Sequence, residues 1–157
     1  MEHTELLDIA LFYKEDHPIF NIVDGVLSFE DGFKPTKAQK ETALLEMAKK
    51  RKYEKIDNFY SKKRAKMLSP GAFMDMIYLL KAQEAKAYLG NQPGQYLLLN
   101  ASVQAGEAAD LDEAAELIVT KETELLTSAA QMEEQRLTKK IAVKNASTLA
   151  ELEAIEV

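Results

Sequence analysis

From Leu111 to Asn145 the chain contains neither glycine nor proline, and its helix propensity is high throughout. This stretch predicts one long helix. Asp110 with Glu113 offers its N-terminal cap. Acidic residues crowd the first half, and Arg136, Lys139, Lys140 and Lys144 lie towards the end, an order that suits the helix dipole. Leu111, Ile118, Leu125 and Met132 fall at a heptad spacing. The companion positions Ala114, Lys121, Ser128 and Gln135 are mostly polar, which argues against a strict two-stranded coiled coil.

Other helices are announced by caps and periodicity. Thr36 with Gln39 forms a capping-box pattern after Pro35. Leu44, Leu45, Met47, Ala48, Tyr53, Ile56, Phe59 and Tyr60 follow at close to the helical period. Ser69-Pro70-Gly71 is a break: Ser69 suits an N-cap and Pro70 the first helical position. A further helix with Phe73, Met74, Ile77, Tyr78, Leu80 and Leu89 is expected to end at Gly90 as the C′ residue, before a turn over Asn91 to Gly94. Gln95 to Gln104 reads as a shorter helix. Thr148 with Glu151 caps a last one, Leu149 to Ile155.

Residues 1–34 differ. Ile19-Phe20-Asn21-Ile22-Val23 is followed by Asp24-Gly25 and then Val26-Leu27-Ser28-Phe29. Two apolar runs around Asp-Gly predict a β-hairpin, because a type I′ turn needs positive φ at both central residues. A lone hairpin is marginal in water, so it must pack on helices or pair with another chain. Leu6 to Tyr13 is compatible with either a short helix or a strand. Short connections usually join antiparallel neighbours. The expected fold is therefore mainly α: a helical bundle of long antiparallel helices over residues 35–157, with a small N-terminal β-hairpin attachment segment over residues 1–34.

Composition excludes several function classes. At 157 residues, 46% hydrophobic and 29% charged, the chain suits one folded domain, or one small domain with a helical extension. With no cysteine there are no disulfides and no thiolate metal sites. The acidic start Met1-Glu2-His3-Thr4-Glu5 has no signal-peptide pattern. The apolar run Met74 to Leu80 is interrupted by Asp75 and is too short for a bilayer. A cytoplasmic site of synthesis is expected.

Candidate chemistry is sparse. His3 and His17 are the only histidines, without HExxH-like or His-rich spacing and without the partners that acid–base or nucleophilic catalysis needs. Asp110, Asp112, Glu113, Glu116 and the pair Glu133/Glu134 read as helix starts or solvated faces. Gly90 to Gly94 lacks the lysine and preceding strand of a phosphate loop. No enzyme activity, cofactor or metal is expected. Lys49, Lys50, Arg51 and Lys52, then Lys62, Lys63 and Arg64, flank Tyr53, Phe59 and Tyr60, a pattern with the look of a nucleic-acid surface or of a patch for an acidic partner. The net charge of −6 argues against nucleic acid. Residues 107–134 are strongly acidic and could meet the basic run instead.

The order of these features resembles that of small tail proteins of tailed bacteriophages, including tail-fibre-assembly-like proteins. The similar pieces are Ile22-Val23-Asp24-Gly25-Val26-Leu27-Ser28-Phe29, then Lys34-Pro35-Thr36. Next come Arg51-Lys52-Tyr53-Glu54-Lys55-Ile56, Ser69-Pro70-Gly71-Ala72-Phe73 and Glu84-Ala85. Met132-Glu133-Glu134-Gln135-Arg136-Leu137-Thr138-Lys139-Lys140-Ile141 and Ala146-Ser147-Thr148-Leu149-Ala150-Glu151-Leu152-Glu153-Ala154-Ile155 complete the series.

The resemblance implies a structural virion protein that adapts or anchors a tail fibre or decorates the baseplate. It would sit in the virion tail after assembly in the host cytoplasm, with other tail proteins as partners, as a homo-oligomer and away from membranes. A fibre-assembly chaperone absent from the mature virion is the alternative. Outside phage biology, a helical nucleic-acid-binding adaptor using residues 49–66 is the further one, to be tested by DNA affinity that falls with salt and on neutralising Lys49 to Lys52. The expected protein interface comprises Phe12, Tyr13, Ile19, Phe20, Ile22, Val26, Phe29 and Phe33, unless these residues simply cover the helical core.

Overall fold

The structure, a computed structural model, describes residues 2–67 and 74–157. The Ser69-Pro70-Gly71 break, its expected N-cap and Phe73 lie outside the described residues. The chain is mainly helical, with 69% of the described residues in helices. In order it forms α1 (His3–Phe12), β1 (Phe20–Val23), β2 (Val26–Phe29), α2 (Lys37–Ala65), α3 (Met74–Leu89), α4 (Leu97–Gln104), α5 (Leu111–Asn145) and α6 (Leu149–Glu153). Two compact units result: Met1–Phe59 with Arg136–Val157, and Tyr60–Gln135. Within the first unit, side chains of α1 and the turn after it reach α2. Asp8 pairs with Arg51, and the Tyr13 hydroxyl donates to the Gln39 carbonyl at 3.3 Å.

In the first unit, residues 3–12 resolve as a helix rather than a strand. Glu2 and Glu5 close a capping box, with the Glu2 N–H donating to Glu5 Oε2 at 2.9 Å. Leu6, Ile9 and Ala10 then fall on one buried stripe. The helix packs on both strands of the hairpin. Residues 37–59 of α2 lie beside 136–145 of α5 and run opposite to them. Asp57 meets Arg136 and Lys140, Tyr53 meets Lys140, and Lys49 reaches the Lys144 carbonyl. Falling numbers on one helix against rising numbers on the other define the antiparallel sense. Ala43, Ile56, Val143, Ala146 and Leu152 are buried in this unit.

In the second unit, Ala85, Leu99, Ala114 and Ala115 form a small-residue core, with Tyr88, Tyr96, Ile118 and Val119 packed around it. Ala85 of α3 shares this core with Ala114 and Ala115 of α5. Lys86 pairs with Glu122, and the Tyr88 hydroxyl donates to Asp112 at 3.0 Å. This order again makes the two helices antiparallel. Tyr96 gives α4 no side-chain cap. Glu84 of α3 supplies one instead, accepting from the N–H groups of Leu98 at 2.8 Å and Leu99 at 3.1 Å.

The expected caps form at Thr36, Asp110 and Thr148, each accepting from the N–H three residues on. The end of α3 requires a correction. Its left-handed residue is Asn91, at φ 52°, not Gly90. The Gln92 N–H reaches the Ala87 carbonyl and the Asn91 N–H the Tyr88 carbonyl, the two bonds of a Schellman motif with Asn91 at C′. Asparagine tolerates this conformation better than most side chains do.

Candidate interaction surface

The hairpin is the best-defined surface element. Asp24 (φ 50°) and Gly25 (φ 73°) make the type I′ turn. Pairing runs Phe20 to Phe29, Asn21 to Ser28, Ile22 to Leu27 and Val23 to Val26. Phe20, Ile22, Leu27 and Phe29 are the more buried set, while Asn21, Val23, Val26 and Ser28 are exposed. This is the alternation of a two-faced strand pair.

Behind the hairpin lies an aromatic cluster. Phe29 touches Phe20, Phe33 and His17, and Tyr13 bridges Phe12 and Phe33, with ring centroids 5.0 to 6.3 Å apart. Most of these pairs are edge-on or tilted, as ring quadrupoles favour. His17 lies flat on Phe33 and its Nδ1 sits 2.5 Å from Asp31 Oδ2. That hydrogen bond, followed by one from the Phe33 N–H, holds the Asp31 carboxyl below the usual carboxylate range. The chain therefore closes on itself just outside the ladder.

The expected interface residues divide between two environments. Ile19 and Val26 are 57% and 63% exposed and available to a partner. Phe12 is 37% exposed at the end of α1. Tyr13, Phe20, Ile22 and Phe33 are half-buried, and Phe29, at 5%, belongs to the interior of its own unit. Val23, 63% exposed, lies opposite Val26 and was not among the residues singled out from the sequence. Its odd-numbered place beside the Asp-Gly turn was the available signal, since strand alternation places it on the outer face.

The basic run is partly engaged internally. Lys49 pairs with Glu46 at 3.1 Å, Arg51 with Asp8, and Arg64 with Glu133 at 3.4 Å. Lys63 lies over the Tyr60 ring at 5.8 Å. Lys50 and Lys62 are exposed, and Lys52 is half-buried. Asp57 takes Arg136 at 2.6 Å and Lys140 at 2.9 Å, and these two cations hold its carboxyl below the usual range.

His3 is exposed at the start of α1. Among the described residues no group of three His, Asp or Glu side chains is placed to hold a metal ion. No helix among them is long and apolar enough to cross a membrane. A cleft of about 240 Å³ lies at the open end of the hairpin, lined by His17, Pro18, Ile19, Glu30 and Asp31. Comparison with known protein families, curated proteins and solved structures finds no match to the chain.

Proposed function

We propose that this chain is a non-enzymatic bacteriophage tail component, a structural virion protein that adapts or anchors a tail fibre or decorates the baseplate through protein–protein contacts. The order of sequence motifs supplies the phage reading. The observation that carries the contact role is the hairpin. Three aliphatic side chains, Val23 and Val26 on the strand pair and Ile19 just before β1, stand more than half exposed, while α1 and the aromatic cluster pack against the hairpin. Such apolar exposure on an anchored element suits a surface that another protein covers.

Antibody labelling of intact particles in the electron microscope tests the reading. Label at the tail tip or along the fibre base supports it. Unlabelled particles, with the protein abundant in the lysate, would favour the assembly chaperone instead.

A further inference from the structure

We propose that the outer edge of β1 receives an extended, basic strand from another protein, which pairs with the backbone of Phe20 and Ile22 and places a lysine or arginine in the cleft beside Glu30 and Asp31. The inference deepens the proposed contact role by naming the chemistry of the partner, and rests on that role only for the existence of one.

Backbone geometry identifies the edge. The Glu30 N–H donates to the Ile19 carbonyl at 3.1 Å, so Ile19 and Glu30 form a hydrogen-bonded pair. In an antiparallel ladder such pairs alternate with non-bonded ones. Phe20 and Ile22 therefore turn their N–H and C=O groups away from β2. The sheet has two strands, and among the described residues nothing bonds these groups. The far edge is different, since the Phe29 carbonyl already accepts from the Gly32 N–H at 3.1 Å. The β1 edge also lacks the usual protections, for no lysine, strand proline or bulge interrupts Phe20–Val23.

Charge selects the occupant. Between Lys14 and Lys34 the chain carries Glu15, Asp16, Asp24, Glu30 and Asp31 and no lysine or arginine. Glu15, Asp16, Asp24 and Glu30 are exposed, and among the described residues no ion pair neutralises them. The cleft at the open end of the ladder has two carboxylates in its lining and a histidine whose Nδ1 is already bonded to one of them. A second copy of the chain would bring the same acidic set against this one, and like charges facing across a strand pair are destabilising. A basic strand gains both the ladder bonds and the charge match.

The test uses the full chain and fluorescently labelled seven-residue peptides. The first alternates lysine and valine, the second glutamate and valine. The third repeats the first with every backbone amide methylated, which removes the ladder donors from both edges of the peptide. The lysine peptide is expected to bind, the glutamate peptide to fail, and the methylated peptide to bind at least about tenfold more weakly. Hydrogen exchange at the Phe20 and Ile22 amides should slow on binding.

Ile22→Pro removes one outward N–H while sparing the hairpin's own ladder, and should weaken binding. The triple variant E15Q/D16N/E30Q leaves the backbone intact and should weaken it about tenfold. No binding by the lysine peptide, equal binding by the methylated one, or no added protection at Phe20 and Ile22 would overturn the proposal. So would a stable dimer of the free chain paired through β1. Each of these failures leaves the tail assignment standing, and particles lacking the chain would leave the peptide result intact.

Discussion

The imidazole of His17 lies parallel to the ring of Phe33, with centroids 3.8 Å apart and planes 6° from parallel. Residues before β1 and after β2 are thereby fastened together. The Asp31 carboxylate completes the fastening, and the backbone N–H of His17 donates to the Tyr13 carbonyl at 2.8 Å, tying it to the end of α1. A hairpin that would be marginal alone is held from behind by these contacts, which leaves its outer face and the β1 edge open.

Acid should loosen this arrangement. Asp31 titrates below its ordinary value of 3.8, because His17 and then the Phe33 N–H favour the charged form. A depressed folded pKa gives stability that is present above the unfolded pKa and lost as pH falls through the folded one. Asp57, Glu107 and Glu151 are lowered in the same sense. The urea midpoint is expected to fall between about pH 5 and about pH 2, and Asp31→Asn should reduce the size of that fall. An unchanged pH dependence in Asp31→Asn would show that the His17 contact contributes nothing.

Neighbouring leucines of α4 provide a test of the second unit. Leu99 is fully buried and Leu97 is 67% exposed. Leu99→Ala should cost about 2–5 kcal/mol, as large-to-small changes in cores do. Leu97→Ala should stay within about 0.5 kcal/mol. Denaturant unfolding of the two variants measures both.

Arg51 is expected to behave as a structural residue. Asp8 is buried, and Arg51 is its ion-pair partner. Arg51→Ala leaves that carboxylate without the guanidinium and should destabilise the first unit by about 1–3 kcal/mol. Lys50→Ala, at an exposed position, should be close to neutral. Equal effects in a thermal melt would remove Arg51 from the structural set.

Gly25 should tolerate no side chain without strain. Its φ of +73° lies in the left-handed region, although space around it is open. Gly25→Val should cost about 1–2 kcal/mol through backbone strain alone. Loss of the inter-strand contacts in an NMR spectrum reports it.

Local signals made much of the fold legible. Asp24-Gly25 between apolar runs specified the turn and the register, and Thr36, Asp110 and Thr148 marked helix starts, because caps and turns involve neighbours within a few residues. Contacts between distant residues were not legible. Whether residues 6–13 were helix or strand depended on Leu6, Ile9 and Ala10 finding a buried face, which a dense apolar run with Leu7, Leu11 and Phe12 conceals. The Asp8–Arg51 pair joins two helices, and nothing near Arg51 in the sequence distinguishes it from Lys50. His17 looked isolated because its partner Asp31 arrives only when the hairpin closes. At the candidate surface, Ile19 and Val26 were readable as apolar strand residues. The inward turn of Phe29 required knowing which strand face α1 covers.

The central claim is best tested by quantitative peptide mass spectrometry of gradient-purified phage particles from the source of this sequence. Recovery of this chain in fixed proportion to known tail proteins is the predicted result. Particles free of it, with the chain abundant in the same lysate, would contradict a structural place in the tail.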